Sequence, residues 1–432
     1  MDSKAEPRGL HGEDAVNALH DDAEGGQDGL ESGAFDAKSA KPSAESDKLR
    51  VDFHTHILPK SWPDPSRRYG YCGFFNIDHD QQEVEVPGNA RLLRDSEPYL
   101  ELGPNCWDVD ARLVDMDAAG IDVQVLSTIP EMFSYWAKAD DAADLARILN
   151  NDMAEQVRKH PQRFVGLGTV PLQAPELAIA ELSRCMEDLK FAGVIVGTHV
   201  NDWNLDAQEL IPFWEAAEEL GAVIFIHPNN METKRAKDDL LVPRIVGMPA
   251  EMCHSVTCFL TGGLLEQFPN LKVCFANGAG TFPYVRGQIE QELSCSSSDV
   301  LLDAAARMAC MLEPSRFAVD SIVHSRDATE FLFKTMSSES VVFGSDYPSP
   351  LGGLTSRRSN DKYPIDPLTA YDYLEQAMLV AMLCDNPANI LQGALPTQVT
   401  SESEDTADSS STTDALEAPS APGPVDTVTT EP

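Results

Sequence analysis

The sequence predicts a mixed α/β fold, a (β/α)₈ TIM-type barrel, from three observations. Eight short runs rich in Val, Ile and Phe follow one another, and each except the first is followed closely by a helical pattern. The eight units occupy about 350 residues, a length suited to one closed barrel. An open doubly wound sheet is the alternative, but it requires a glycine-rich phosphate turn after the first strand, where this chain reads His-Thr-His-Ile-Leu-Pro.

Apolar runs bounded by polar or turn residues define the strands. The predicted strands span residues 49–57, 121–127, 163–170, 192–198, 222–227, 271–276, 317–322 and 340–345. Between the first strand and its helix lies a long insertion, residues 58–107, that is rich in Gly, Pro, Tyr and Trp. This insertion separates the first βα unit from the seven regular ones.

Helical periodicity and end signals support the units between the strands. Apolar residues spaced three and four apart predict helices over 175–189 and 206–220. Asp108 is suited to cap a helix that runs as far as Gly120, which is its C-terminal stop. Gly221 has the same stop role after the second of the two periodic stretches.

Charge divides the chain into a folded middle and two acidic ends. The sequence carries 70 acidic and 32 basic residues, a formal net charge of −38. Residues 1–48 hold a net charge of −7 and residues 397–432 one of −8, in Gly-, Ser-, Thr- and Pro-rich surroundings without helical or strand periodicity. We expect both ends to be disordered, because neither can bury enough apolar surface to offset chain entropy. The barrel then comprises residues 49–396.

Composition excludes several classes of partner. A net charge of −38 argues against nucleic acid or an anionic membrane surface, since both require clustered positive charge. No run of about 18 apolar residues predicts a membrane span, and the acidic N-terminal stretch does not predict a signal peptide. The nine cysteines are odd in number and lack CxxC spacing, which predicts reduced thiols in a cytoplasmic protein.

Histidines follow the first predicted strand, at the end where a (β/α)₈ barrel carries its active site. The strand ends Val-Asp-Phe-His-Thr-His, and regular alternation predicts that Asp52, His54 and His56 share one face. Two imidazoles two residues apart on a strand can bind one metal ion, although this pattern alone is a weak signal. Asp52 could support a ligand imidazole or be an ordinary buried, hydrogen-bonded carboxylate.

Two further strands end in residues that can bind a metal. His227 follows the fifth strand and Asp346 the eighth, and either alone is more often a core histidine or a helix cap. The barrel brings both to the same mouth as His54 and His56, and three imidazoles with one carboxylate suit zinc or a similar divalent ion. No lysine ends strand four, so we expect a single metal with an open position, where bound water has a pKa of about 7. Core histidines without a metal are the alternative.

Several longer motifs carry a family resemblance. They are Asp-Phe-His-Thr-His-Ile-Leu-Pro-Lys at 52–60, Asn-Cys-Trp-Asp at 105–108, Met-Phe-Ser-Tyr-Trp-Ala-Lys at 132–138, Arg-Phe-Val-Gly-Leu-Gly-Thr at 163–169, Gly-Thr-His-Val-Asn at 197–201, Val-Gly-Met-Pro-Ala-Glu at 246–251 and Gly-Ser-Asp-Tyr-Pro at 344–348. From about residue 51 to 391 the chain resembles the amidohydrolase superfamily. Within it, the chain is similar to the 2-amino-3-carboxymuconate-6-semialdehyde decarboxylase family of tryptophan catabolism.

The resemblance implies a zinc-dependent, non-oxidative decarboxylase that acts on a small, carboxylated, unsaturated substrate. Its metal ligands correspond to His54, His56, His227 and Asp346, and we count Asp346 among the catalytic residues as well. The family also implies a homodimer in which a basic residue crosses into the partner's site.

The chain departs from the family after strand six, where it reads Asn277-Gly-Ala-Gly and the family has a histidine followed by three glycines. The family histidine takes a proton from metal-bound water and returns it. Asn277 occupies this catalytic position, but it can form hydrogen bonds with water and cannot titrate. General acid–base catalysis typically contributes 10²–10⁴-fold, so the loss is expected to be large unless another group replaces it. His254 and His324 are candidates for that replacement.

The residues that hold the substrate's carboxylates also differ. The family arginine shortly before Asn-Cys-Trp-Asp is absent, and the partner-crossing arginine aligns with Gln288. Arg94 keeps a basic residue where the family has lysine, Arg244 replaces a family tryptophan, and Arg286 stands two residues from Gln288. The candidate substrate-binding residues are therefore Arg94, Arg244, Arg286, Phe133, Trp136 and His199.

Two hypotheses of different class follow from these departures. In the first, the protein is a metal-dependent decarboxylase with reduced or altered activity. In the second, it is a catalytically silent relative that keeps the metal and binds a ligand or a partner. Retained ligands favour the first hypothesis, and the changed proton-transfer and carboxylate-binding residues favour the second.

Overall fold

The computed structural model describes residues 48–80, 82, 84–229, 243–295, 316–349 and 367–396. The expected acidic tails lie outside the described residues, apart from Lys48 at the start of the barrel. The predicted barrel region, 49–396, therefore contains all the structure reported below except this one residue.

Eight parallel strands form the centre of the protein, and each pairs with its neighbours in chain order. The strands are β1 (Val51–His56), β2 (Val123–Ser127), β3 (Phe164–Thr169), β4 (Gly193–Gly197), β5 (Val223–His227), β6 (Lys272–Phe275), β7 (Phe317–Asp320) and β8 (Val341–Val342). All eight predicted strands are confirmed, each shorter than its apolar run. The residues of β1 to β5 are all buried, as expected for parallel strands covered by helices.

Backbone hydrogen bonds between the segment that begins at β8 and β1 close the sheet into a barrel. The Phe53 N–H donates to the Phe343 carbonyl at 2.8 Å, and the Asp346 N–H donates to the His54 carbonyl at 2.9 Å. An open doubly wound sheet has no such contact between its first and last strands. The barrel prediction is therefore confirmed.

Helices follow the strands and cover the outside of the barrel. The longer helices are Val109–Ala119, Ala139–Lys159, Pro175–Glu187, Ile211–Glu219, Met248–Thr261, Phe282–Ser294 and Arg326–Met336. Shorter helices span Pro65–Tyr69, Leu264–Gln267, Pro367–Ala370, Gln376–Val380 and Asn386–Leu391, with 3₁₀ turns at Pro104–Cys106, Pro130–Met132, Gln208–Leu210 and Asn277–Ala279 and π turns at Pro243–Gly247 and Ala381–Asp385.

The predicted helix ends have the expected chemistry. The Asp108 carboxylate accepts hydrogen bonds from the N–H groups of Asp110 and Ala111, and Gly120 ends the helix with a φ of 66°. Gly221 has a φ of 63° after the helix Ile211–Glu219. The periodic stretch 206–220 begins as a 3₁₀ turn, so its α-helix is shorter than predicted.

The insertion at residues 58–107 contains more structure than its composition predicts. It forms a three-stranded antiparallel sheet from Phe75–Asp78, Ala90–Arg94 and Glu97–Leu102. The sheet has a separate apolar cluster, in which Trp62 and Leu92 pack with Met132 from the loop after β2. The insertion is thereby fixed beside the loops at the C-terminal ends of the strands.

The structure tests two expectations that came from composition. None of the helices among the described residues is long and apolar enough to cross a membrane. The eight cysteines in the described ranges are all free thiols. Burial raises the pKa of Cys106 to about 12, so this thiol stays protonated at neutral pH and acts as a small core residue.

A glycine at the start of β4 is required by the close approach of β5. A Cβ atom on Gly193 would overlap the carbonyl oxygen of Val223. We expect Gly193→Ala to lower the free energy of unfolding by about 3 kcal/mol or more, or to prevent folding. Gly287 lies in a helix with open space around it, so Gly287→Ala is the matched control and should stabilise by about 0.5–1 kcal/mol. Urea unfolding measures both, and equal stabilities would contradict the packing described here.

Candidate metal centre

A bulge in β1 places its first histidine inside the barrel. The register of β1 with β2 shifts between Asp52 and Thr55, so two residues of β1 occupy the space of one. As a result Phe53 and His54 both contact Phe225 of β5, with ring centroids 5.6 and 4.9 Å apart. These two phenylalanine rings form an apolar floor beneath the histidines.

The bulge also turns Asp52 away from the histidines. Its carboxylate accepts hydrogen bonds from the N–H and the hydroxyl of Ser345, at 3.0 and 2.5 Å, and lies beside Met116 and Ala119 of an outer helix. The expectation that Asp52 shares a face with His54 is therefore wrong, because regular alternation does not continue through a bulge. Burial raises the pKa of Asp52 to about 7 against the opposing effect of its hydrogen bonds.

Four side chains converge at the C-terminal end of the barrel, and they are the four predicted from the strand ends. The Nε2 atoms of His54 and His56 lie 3.1 Å apart, and the Asp346 carboxylate oxygen lies 3.2 Å from the second and 3.5 Å from the first. His227 completes the group, whose possible ligand atoms all lie within 4.8 Å of one another. The three histidines are buried.

The hydrogen bonds of the three imidazoles fix which nitrogen faces the centre. Each Nδ1 lies against an oxygen that can only accept, so each Nδ1 carries the proton and each Nε2 is left with a lone pair. The pairs are His54 with Asp320 at 2.6 Å, His56 with the Thr128 carbonyl at 3.0 Å and His227 with the Pro228 carbonyl at 2.7 Å.

This arrangement of electron pairs fits a divalent cation. Three Nε2 lone pairs and a carboxylate repel one another at such distances in a buried site unless positive charge lies between them. A tetrahedral ion with metal–nitrogen bonds of about 2.0–2.1 Å separates its ligand atoms by roughly 3.3–3.4 Å, close to the observed spacings of 3.1, 3.2 and 3.5 Å. The donor set and its spacing therefore suit a metal ion.

The electrostatics of His227 and Asp346 keep these two groups in the form that binds metal. Burial lowers the pKa of His54, but the hydrogen bond and charge of Asp320 outweigh it and raise this pKa, so a metal ion would compete with a proton there. Burial and the neighbouring imidazoles hold the pKa of His227 well below its ordinary value, so this imidazole is neutral at neutral pH. Burial raises the pKa of Asp346, but hydrogen bonding and charge from the histidines outweigh it and leave this pKa well below its usual range. The carboxylate is thus ionised.

Asp320, at the end of β7, is the supporting residue that sequence reasoning missed. It is fully buried, and one of its oxygens accepts the His54 Nδ1 proton. Its other oxygen accepts the N–H groups of Gly278 and Ile322, at 2.9 and 3.0 Å. The predicted strand 317–322 placed Asp320 inside the strand, whereas the structure ends the strand at this residue. The signal that could have found it is a carboxylate within an otherwise apolar run.

A buried arginine on the helix Val109–Ala119 stabilises the elements that surround the candidate metal centre. Arg112 donates to Gln124 at 3.0 Å, to the Asn105 carbonyl at 3.2 Å and to the His56 carbonyl. Its guanidinium lies 4.8 Å from the ring centroid of Tyr347, which follows Asp346 in the chain. One side chain thus connects β1, β2, the insertion and the loop that carries the carboxylate ligand.

A cleft of about 1440 Å³ opens above the four side chains. His56, His227 and Asp346 lie in its lining, so an ion bound by them is accessible from the cleft. Most of the remaining wall is apolar, including Leu100 and Leu102 of the insertion, Ile129, Tyr284 and Phe331. The lining residues in the described ranges include no lysine or arginine.

Asn277 lines the same cleft directly after β6. It has a φ of 53° and begins a turn in which Gly278, Ala279 and Gly280 also have positive φ. The turn is held by the hydrogen bond from the Gly278 N–H to Asp320, the residue that also orients His54. Within the described part of the chain, the Asn277 side chain forms no hydrogen bond, so it is available to water or substrate.

The aromatic and histidine candidates for substrate binding lie outside the lining of the cleft. Phe133 is buried and stacks on Tyr135 at 5.6 Å, and Trp136 packs on Phe74 at 4.8 Å. His199 lies in a two-residue strand, 3.9 Å from the Glu251 carboxylate. Contact between these side chains and a substrate stays a prediction.

The arginine candidates are also engaged elsewhere. The Arg94 guanidinium lies over the Phe75 ring at 5.6 Å. Arg286 donates to Glu290 at 2.7 Å and to the Thr335 carbonyl at 2.8 Å. The side chain of Arg244 lies outside the described residues. Their predicted role in holding a carboxylate is not tested by this arrangement.

Fold and site together define the class of metal-binding (β/α)₈ barrels with ligands at the C-terminal strand ends. The sequence profile described as Amidohydrolase matches residues 51–392, and the chain therefore belongs to the amidohydrolase family. Both the resemblance and the barrel fold drawn from the sequence are confirmed.

Named relatives refine the placement within that family. The chain is 41% identical to 2-amino-3-carboxymuconate-6-semialdehyde decarboxylase of Dictyostelium discoideum over 313 residues, which is 71% of this chain and 83% of the relative. It is 32% identical to the enzyme of that name from Caenorhabditis elegans over 384 residues, which is 76% and 92% of the two chains. The crystal structure of apo IDCase from Metarhizium anisopliae matches in fold, with a TM-score of 0.67, 21% identity and coverage of 80% and 97%. The named relatives support a carboxy-lyase.

Metal affinity is expected to depend on Asp320 because its carboxylate orients His54. We expect Asp320→Asn to weaken metal binding by about 10–100-fold, as measured by competition with a chromophoric chelator. Asp52→Asn is the matched control, since this buried carboxylate binds Ser345 and no ligand imidazole. Equal losses in the two variants would contradict the supporting role assigned to Asp320.

Proposed function

We propose that the protein is a metal-dependent, non-oxidative decarboxylase of a small unsaturated carboxylic acid. The first substrate to test is 2-amino-3-carboxymuconate-6-semialdehyde, for which its relatives are named. A role in tryptophan catabolism is part of this proposal and rests on the family resemblance. The observation that carries this proposal is the convergence of three Nε2 lone pairs and the Asp346 carboxylate at the base of a large cleft.

Zinc is the ion we propose, since three imidazoles and one carboxylate are ligands that it accepts readily. When bound, such an ion polarises a substrate oxygen or lowers the pKa of a water molecule. His54, His56, His227 and Asp346 would hold it, and Asp320 keeps the first of these imidazoles oriented. The apolar cleft wall limits water near the site and so strengthens the attraction between a substrate carboxylate and positive charge.

The reaction requires a proton as well as a site for the carboxylate. The bond between the substrate carbon and its carboxylate carbon breaks, and carbon dioxide leaves. The substrate carbon keeps the electron pair and must then be protonated. Asn277 lies in the cleft at the position where the resemblance implies a proton-transferring histidine. Its amide can orient water but does not act as an acid or a base near neutral pH. We therefore expect turnover slower than a titrating residue at this position allows.

The alternative function is that of a silent relative that keeps the metal and binds a ligand or partner. Asn277 is the observation that favours it. The retained ligand set, with a buried hydrogen bond for each Nδ1, favours the enzyme, because the residues of a site freed from catalysis usually drift.

We further propose a cytoplasmic homodimer. Tyr284 and Phe331 are 84% and 42% exposed with ring centroids 6.4 Å apart at the cleft, and Ile245 is 60% exposed nearby in the same lining. An exposed apolar rim of this kind is typical of a surface that is covered in an assembly. The free thiols support a reducing compartment. Sedimentation of the purified protein measures the assembly state.

Removal of the metal is expected to abolish decarboxylation. Treatment with a strong chelator should lower the rate by at least 100-fold, and added zinc should restore it, because the proposed chemistry requires the ion. Absorbance of the semialdehyde measures the rate, and elemental analysis measures zinc and manganese in the same samples. His227→Ala should show low activity and low metal content together. Full activity in the metal-free protein would overturn the proposal.

Asn277→His is expected to raise kcat about tenfold, because it restores a titrating group at the cleft. Histidine tolerates the left-handed backbone of this position nearly as well as asparagine does. Asn277→Gln, which cannot titrate, is the control and should give no gain. If neither the metal-loaded wild type nor metal-loaded Asn277→His releases carbon dioxide, the result would favour the silent relative.

A further inference from the structure

A histidine other than the metal ligands lines the cleft, in the loop after β7. We propose that His324, in the loop after β7, is the general acid that delivers the proton to the substrate. This inference rests on the proposed decarboxylase function. It names the residue that supplies the proton, since Asn277 cannot do so. His324 lines the same cleft as Asn277 and the three ligands that border it.

The loop that carries His324 is fixed against the loop that carries Asn277. The Asp320 carboxylate accepts the N–H groups of Gly278 and Ile322 through one oxygen, so a single group holds both loops. Val323 packs tightly at the same place, since a Cβ on Gly278 would come within 2.6 Å of its Cγ1 atom. Asn277, which precedes Gly278, and His324, which follows Val323, are therefore held on adjoining loops at the cleft.

The backbone and exposure of His324 suit this role. Its φ is 55°, a conformation that costs a non-glycine residue free energy and that recurs at functional sites. His324 is exposed and lines the cleft, so it can regain a proton from water in the cleft after each turnover.

The other ionisable groups in the described lining have different properties. They are His56, His227, Asp346, Glu131, Asp327, Tyr284 and Cys106. The first three belong to the proposed metal centre, and burial raises the pKa of Cys106 to about 12. His324 is the one imidazole in the described lining that lies outside the proposed metal centre, and imidazole is the side chain most often used for general acid catalysis.

The other candidate, His254, does not share this position. It lies on the helix Met248–Thr261 with its Nε2 atom 3.4 Å from the Cys258 sulfur, and it is absent from the described lining of the cleft. Its exposure is in the same class as that of His324, which makes it a matched control.

In the proposed step, the bond between the substrate carbon and its carboxylate breaks, carbon dioxide leaves, and the electron pair stays on the carbon. That carbon takes the proton of the His324 imidazolium, which becomes neutral imidazole. Solvent then returns one proton to the imidazole, so the net reaction consumes one proton and releases one carbon dioxide.

The test compares His324→Asn with His254→Asn in the metal-loaded full chain, with 2-amino-3-carboxymuconate-6-semialdehyde as substrate. Asparagine tolerates the left-handed backbone and keeps hydrogen-bonding capacity but cannot titrate. We expect His324→Asn to lower kcat about 100-fold with unchanged metal content, and His254→Asn to match wild type. Added imidazole should restore His324→Ala by tenfold or more, and Asn277→His should restore His324→Asn.

Several outcomes would overturn the proposal. One is a kcat for His324→Asn within threefold of wild type. Another is a loss that neither imidazole nor Asn277→His repairs, which would indicate a structural role for His324. In both cases wild type still decarboxylates, so the proposed function stands while the inference fails. A metal-loaded wild type without any decarboxylation would overturn the proposed function, and the inference with it.

Discussion

The hydrogen bonds of the Asp320 carboxylate are the interaction on which the site depends. One oxygen fixes the proton of His54 on Nδ1 and so directs the Nε2 lone pair to the centre. The other holds the turn after β6 and the loop after β7, which carry Asn277 and His324. Burying a carboxylate costs free energy unless it is hydrogen-bonded in this way. One group therefore fixes the orientation of the His54 imidazole and the positions of both loops.

The candidate metal ligands are held by buried hydrogen bonds, whereas Asn277 replaces the histidine that the family has for proton transfer. The turn that begins at Asn277 keeps positive φ at Ala279, where the family has glycine, and such a residue costs of order 1 kcal/mol or more. The turn persists because Asp320 anchors it. The acidic composition of the protein extends to the cleft, whose described lining holds Glu131 and Asp327 and no lysine or arginine. In this part of the molecule, positive charge for a substrate carboxylate would come from the proposed metal ion and from a protonated His324.

Much of the fold and of the metal centre could be predicted from the sequence. Parallel strands buried on both faces read as apolar runs, and their C-terminal ends meet at one mouth, which was enough to bring His54, His56, His227 and Asp346 together. The bulge in β1 could not be predicted, since alternation assumes a regular strand, and it reversed the expectation for Asp52. The surroundings of Arg94 and Arg286 depend on loop and helix packing that local patterns do not encode.

We expect the four converging side chains to hold one metal ion. A crystal structure of the protein as purified, with anomalous data collected on both sides of the zinc edge, tests this most directly. We expect a single peak about 2.0–2.2 Å from the three Nε2 atoms and an Asp346 oxygen. A site without a peak at any metal edge, with the imidazoles hydrogen-bonded to one another through a proton, would contradict it.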